Sequence, residues 1–277
     1  MYEHHDQQYI TELILSKISS SRSSIKSQWE NPEETNTRHF VIDELLEPTI
    51  CTRIYDSFPK DGHRFYSRKS FRERKKTSGR LSDYDEVLSH ITFALQDPRV
   101  VALISEIVGI DRLEPDPKLY AGGLSMMFAG DFLNPHIDNS HDAERKRYRR
   151  LNLLYYVSPD WKLENGGNFE LWNSERTRPK TILAAANRLV VMETNKYSWH
   201  SVSKVQTDNP RCCVSNYYFS DVSPDLSSYF HVTSFVGRPN ELFKRVWCVL
   251  DNAARNTFSI VTKIGRGKDQ VNKDKTQ

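Results

Sequence analysis

The apolar positions of this 277-residue chain change their period near residue 116. Ahead of that point they recur at helical spacing. In "DPRVVALISEIVGI", Val101, Ile104 and Val108 form a stripe, Asp97 is a good N-cap, Pro98 suits the first helical position and Gly109 ends the run, which predicts a helix over 98–108. "HFVIDELLEPTICTRIYDSFPKDG" reads as a strand-like start leading into a helix near 47–58, stopped by Pro59. After residue 116 the runs are short and β-rich: "LSMMFAG", "LNLLYYV", "NFELWN", "RLVVMET", "SWHSVSKV" and "RCCVSNYYFS". Gly, Asn, Asp and Pro punctuate them at spacings that suit a sandwich or barrel rather than βαβ units. A helical pattern returns in "NELFKRVWCVLDNAARNTF", with Leu242, Val246, Val249, Leu250 and Ala253 on one side, and packing of that stripe against the barrel is the expected use of it.

These elements divide the chain into four parts. Residues 1–36 are an N-terminal extension, a short helix followed by a polar stretch, "SSSRSSIKSQWENPEETNTR", whose composition reads as a flexible linker. Residues 37–115 are a helical support region with a basic loop, 116–225 a β-barrel core, and 226–277 a C-terminal helix with a basic tail whose last dozen residues read as disordered. The length suits one large domain with appendages. Charge changes the picture little: 39 Lys and Arg against 36 Asp and Glu leave +3, too mild for a generic nucleic-acid binder, so no nucleic-acid partner is expected. Cys51, Cys212, Cys213 and Cys248 form no C-x-x-C pair and no disulfide spacing, which argues for a reducing compartment, the cytoplasm. The opening apolar run is too short, and lacks the small-residue cleavage site, for a signal peptide. No stretch reaches transmembrane length.

The candidate chemistry sits in "NPHIDNSHD", residues 134–142. Alternate side chains on a strand share a face, so His136 and Asp138 can grip one ion from a sheet edge. A third ligand must come from elsewhere, and "YSWHSVSKV" supplies His200. Two imidazoles and one carboxylate leave three positions open on an octahedral ion, the ligand set of non-haem Fe(II) oxygenases. No H-E-x-x-H string marks a hydrolytic zinc site. H-x-D alone arises often by chance, and His141 is a rival ligand.

More specific is an ordered set of five elements: "HIDN", "RRLNLLYYVSPDW", "NGGNFELW", "RLVVMETNKYSWHSV" and "RCCVSNYYF". From about 116 to 221 the chain resembles the Fe(II) and 2-oxoglutarate-dependent oxygenases, and among them the prolyl-4-hydroxylase-like branch. The resemblance implies a double-stranded β-helix, a jelly-roll or cupin-like barrel, with Fe(II), 2-oxoglutarate and O2 as cofactor and cosubstrates. It implies His136, Asp138 and His200 as iron ligands and Arg211 as partner of the distal 2-oxoglutarate carboxylate. Ser215 and Tyr156 would support it as hydrogen-bond donors, and Asn152, of matching parity, joins the same pocket. Arg suits this task because its planar fork matches a carboxylate. Fe(II), Asp138, 2-oxoglutarate and Arg211 also sum to zero charge, which a buried site needs. Two details depart from the family: Met126 or Met127 stands where a Tyr often touches the cosubstrate, and the interval from His200 to Arg211 is slightly long. Asp138 also stands where related halogenases carry a small residue, so oxygen insertion is the expected outcome.

For the substrate, "RFYSRKSFRERKKTSGR" (64–80) holds eight basic residues and one acidic, and "RKRYRR" (145–150) adds a second cluster. Together they suit an anionic small molecule or glycan intermediate; a solvated loop is the bland alternative. The rival functions are a prolyl or peptidyl hydroxylase and a non-catalytic cupin-like binding module. Phe243, Trp247 and Leu250 beside Lys244 and Arg245 also admit a homodimer or membrane reading of the C-terminal helix, subordinate to packing on the barrel. Trp161, Trp172 and Trp199 are taken as barrel packing.

Overall fold

The computed structural model describes residues 6–120, 122–225 and 227–262, so the basic tail read as disordered lies outside the described residues. Two helices open it, α1 (Gln7–Ser20) and α2 (Arg22–Glu30). The first is capped by Asp6, whose side chain accepts from the Tyr9 amide. The stretch expected as a flexible linker therefore contains a packed helix. Ile25 and Trp29, four apart on one face of α2, are 1% and 2% exposed, and two large side chains on one stripe suffice to seat a helix that is otherwise polar.

Strand β1 (His39–Ile42) and helix α3 (Pro48–Asp56) follow, close to the predicted positions. The basic loop is a β-hairpin, β2 (Tyr66–Lys69) and β3 (Glu73–Ser78), with β3 hydrogen-bonded to two later strands. Helix α4 (Glu86–Ala94), which the apolar spacing did not single out, precedes α5 (Pro98–Val108). In α5 the predicted caps are present: Asp97 accepts from the Arg99 amide and Gly109 adopts the left-handed conformation at φ 66°.

The short β4 (Glu114–Pro115) leads into β5 (Gly123–Met127), β6 (Phe132–Ile137), β7 (Tyr148–Tyr156), β8 (Phe169–Trp172), β9 (Pro179–Ile182), β10 (Arg188–Glu193), β11 (His200–Val202), β12 (Arg211–Ser220) and β13 (Ser234–Phe235); helix α6 (Leu242–Thr262) closes the described chain. The strands run in the order β1-β10-β7-β12-β5-β3-β6-β11-β8-β9, all neighbours antiparallel. This is the curled, mainly β jelly-roll expected, with flanking helices.

Burial on both faces explains why its central strands read as continuous apolar runs rather than alternating ones. Along β7, Leu151, Leu153 and Tyr155 belong to the core shared with α1–α5, whereas Leu154 and Tyr156 belong to the separate core inside the barrel. The same split separates Cys212 and Val214 from Cys213 on β12. A slip of one residue would exchange these faces, so register is fixed by burial on both sides.

Helix α6 departs from expectation. Its apolar stripe faces outward, with Leu242 70%, Val246 67% and Leu250 61% exposed, and its polar side packs on the barrel. Arg72 reaches Asp251 at 2.6 Å, and Asn252 makes two hydrogen bonds to the backbone of Phe235. Hydrophobic periodicity located the helix and assigned the wrong face to the barrel, because the surface offered to it is a set of charged groups and open backbone.

Candidate metal and cosubstrate site

Pairing of β6 with β11 sets His136 directly opposite His200. Each ring donates its Nδ1–H to the carbonyl two residues back, Asn134 for His136 and Ser198 for His200, both at 2.9 Å, which leaves the Nε2 lone pair free to ligate. His136 Nε2 lies 3.6 Å from Asp138 Oδ1, and His200 Nε2 lies 3.7 Å from Asp138 Oδ2. One ligand atom from each residue falls within 4.8 Å of the others, a group that could hold a single metal ion. His141, the rival, is held elsewhere: its Nδ1 is 2.8 Å from Ser140 Oγ and its ring packs on Tyr148.

Electrostatics favour the ligating forms of His200 and Asp138. Burial pushes the His200 imidazolium down to about 3, helped by the neighbouring His136, so the ring is neutral at pH 7. Burial by itself would raise the Asp138 carboxyl. The Arg149 guanidinium, 3.3 Å away, and the two imidazoles outweigh it and hold the group far below the usual carboxylate range.

The floor of the site is built from β7 and β12. Cys213 pairs with Tyr156, Ser215 with Leu154 and Tyr217 with Asn152, so these six share one face, as parity required. Behind the triad lies a cavity of about 60 Å³ whose lining includes Arg211, Tyr156, Asn152, Ser215, Thr77 and Met127. Three of its polar atoms are buried without a protein partner: Arg211 Nε, Tyr156 Oη and Asn152 Oδ1. Orphaned polar atoms of this kind are costly unless a ligand takes them up; Asn152 Oδ1 accepts, whereas the Arg211 guanidinium and the Tyr156 phenol can donate, a pair that suits a carboxylate. The donor set therefore fits 2-oxoglutarate. Of the two candidate methionines it is Met127 that faces the pocket, its Sδ 3.3 Å from Arg211 Nη1, while Met126 belongs to the helix-side core.

The Gly-Gly element has a steric reason. A Cβ on Gly166 (φ +65°) would lie 1.9 Å from the Lys204 carbonyl oxygen, and one on Gly167 would crowd Arg211 Cδ at 3.1 Å. These two positions let the turn before β8 close over the arginine. Trp161 and Trp172 are buried in the barrel, and Trp199 packs under Arg176.

Sequence reasoning missed three contributors. Lys75 and Thr77 reach the small cavity from β3; the alternation Glu73, Lys75, Thr77 against Arg74, Lys76, Ser78 was a period-2 signal hidden by charge. Arg149 lies beneath Asp138, 1% exposed at its side chain and stacked on Tyr217 at 3.9 Å, with Nε and Nη2 unpartnered. Outside the triad the site opens into a cavity of about 1130 Å³. Its walls carry Arg64, Arg68, Arg72 and Arg80 from the hairpin region, Arg145 beyond the H-x-D loop and Arg255 from α6, against Glu73 and Asp142.

A barrel of this topology carries two histidines and an aspartate that could hold a metal ion, with a buried arginine beneath that could receive a carboxylate. Residues 122–219, within the barrel, match the family model of the 2OG-Fe(II) oxygenase superfamily. Its members use Fe(II), 2-oxoglutarate and O2, and His136, Asp138 and His200 could bind the iron. Prolyl 3-hydroxylase OGFOD1 of Mus musculus is 29% identical over 96 residues, 32% of this chain and 17% of that protein, so the matched segment spans about a sixth of the relative. Among solved structures, a Pseudomonas putida prolyl-4-hydroxylase superposes with TM-score 0.54 at 12% identity, covering 73% of this chain and all of the other. A Trichoplax adhaerens prolyl hydroxylase, solved with a hypoxia inducible factor peptide fragment, gives 0.51 at 15% identity over 80% and 94% of the two chains. These likenesses establish a prolyl-4-hydroxylase-like fold.

Proposed function

We propose that the protein is an Fe(II)- and 2-oxoglutarate-dependent dioxygenase that hydroxylates a C–H bond of an anionic small molecule or glycan intermediate. The observation that carries this reading is the two-histidine, one-carboxylate cluster set between a small cavity with orphaned polar atoms and a large one open to a substrate. His136, Asp138 and His200 would hold the iron. Bound there, iron and 2-oxoglutarate supply the oxidising chemistry: substrate C–H, O2 and 2-oxoglutarate become C–OH, succinate and CO2. The chain's own residues bind and orient. Arg211 grips the distal carboxylate of the cosubstrate, with Tyr156 and Ser215 donating to it and Asn152 beside them. Arg149 keeps Asp138 ionised and lines the outer cavity, with Nε and Nη2 buried without a protein partner, and the surrounding arginines favour an anion there. The barrel, 116–225, is on this reading the catalytic unit and the helices before it its support. Four buried, free cysteines suit a reducing, cytoplasmic setting.

A prolyl or peptidyl hydroxylase is the second reading, favoured by the mouse relative's name and by an outer cavity roomy enough for a peptide segment. Incubation with proline-containing peptides and a mass gain of one oxygen atom would select it.

The primary test is anaerobic addition of Fe(II), then 2-oxoglutarate, to wild type and Asp138→Ala. A visible charge-transfer band in the wild type, lost or altered in the variant, is the expected outcome. Absence of the band together with no 2-oxoglutarate binding by calorimetry sinks the oxygenase reading and leaves a cupin-like binding module.

A further inference from the structure

Helix α6 is amphipathic in the reverse sense: its polar side is inside. Asp251 is held by Arg72 and Arg255, Asn256 accepts from the Val232 amide, Arg145 reaches Ser259, and Cys248 is fully buried. The side turned to solvent is apolar along most of its length. Leu242, Phe243, Val246, Trp247, Val249 and Leu250 are between 60% and 95% exposed. Large apolar side chains at this exposure each present about 100–200 Å², so the face offers on the order of 800–1,000 Å². Monomers rarely show a contiguous apolar patch above a few hundred Å². The area matches the roughly 800 Å² that each partner gives to a standard-sized protein interface.

The spacing says what shape covers it. Phe243, Val246, Leu250, Ala253 and Thr257 follow one another at intervals of three, four, three and four, the a/d seam of paired helices, and all five are exposed. The small Ala253 and Thr257 allow close approach of a second axis. The flanking positions Leu242, Trp247, Val249 and Ala254 are uncharged, so nothing on the rim repels an identical face. A bilayer is a poorer match: helices that lie on membranes turn a basic polar side to the headgroups, and here that side is engaged with the barrel. Among the described residues no helix is long and apolar enough to cross a membrane.

We propose that two copies of this chain pair through α6, seam to seam, in an isologous dimer. The pairing also bears on the large cavity, because Arg255, Phe258 and Ser259 of the same helix form part of its wall. A partner helix would brace that wall from outside.

The test is sedimentation velocity of the full chain across the micromolar range, with wild type and the double variant Val246→Glu/Leu250→Glu. Both positions are exposed, so the variant should keep its circular dichroism and, at concentrations where the wild type is monomeric, its melting temperature. A wild-type dimer that the variant loses entirely is the expected result. Leu250→Cys should in addition form a disulfide-linked dimer under mild oxidation, the four native cysteines being buried. A wild type that stays monomeric throughout overturns the proposal, as does an association indifferent to the two glutamates. Binding to phosphatidylcholine–phosphatidylserine vesicles in place of self-association would overturn it too.

Discussion

At the scale of single residues, the informative atoms are those left without partners. A buried hydroxyl with no hydrogen bond lowers stability by about 1–3 kcal/mol, yet the same atom is an asset once a ligand reaches it. Tyr156 Oη is in this position, fully buried beside the Arg211 guanidinium, which lies 5.1 Å above its ring. Tyr156→Phe should therefore raise the thermal stability of the ligand-free protein slightly and weaken 2-oxoglutarate binding by about tenfold or more, about 1.5–3 kcal/mol for one hydrogen bond to a charged carboxylate. Calorimetric titration beside a melting curve measures both. Unchanged affinity would remove Tyr156 from the cosubstrate pocket. The residue types in this pocket were legible in the sequence because metal and carboxylate chemistry restricts them to a few kinds. Arg149 was not singled out, since one arginine in "RKRYRR" looks like any other until the fold buries it.

At the scale of elements, the sequence was most readable where local rules act alone. Asp97, Pro98 and Gly109 mark both ends of α5, and turn residues separate the β-runs. It was least readable where a short element depends on distant contacts. Helix α2 is held by two side chains in a core supplied by other helices, and β3 is a strand because β5 and β6 flank it. Trp29 tests the first case. It is 2% exposed against Phe40, with ring centroids 6.2 Å apart, so Trp29→Ala should destabilise the protein by about 3–5 kcal/mol. A denaturant-unfolding midpoint that does not move would show the segment to be the linker its composition suggests.

At the scale of the whole molecule, buried histidines tie stability to pH. Burial is the leading cause that lowers His39, His141, His200 and His231 below the ordinary histidine value. The sign follows: such groups add stability above the unfolded pKa, about 6.5, and lose it as pH falls through that value, because the unfolded chain takes up protons the folded one refuses. His200, at about 3, contributes on the order of 1 kcal/mol of loss between pH 7 and about pH 5.5. Asp116 and Glu193, raised by burial, act in the opposite direction as pH falls further. Chelator-treated protein should thus melt at lower temperature at about pH 5.5 than at pH 7; an equal or higher midpoint at the lower pH would contradict the neutral, buried state of these rings.

The chain alone determined the order of β-runs, the kinds of residue that can bind a metal and a carboxylate, and the parity that keeps Asn152, Tyr156, Arg211 and Ser215 on one face. These follow from rules acting over a few residues: side-chain alternation, capping and donor chemistry. Tertiary structure decided what depends on residues far apart in sequence. It set His136 opposite His200, drew Lys75 and Thr77 into the site, placed Arg149 under Asp138 and turned the apolar side of α6 outward. Periodicity says that a helix has two unlike faces, but which face meets the barrel depends on the groups the barrel presents, and here those are Arg72, Arg145 and the open backbone of Val232 and Phe235.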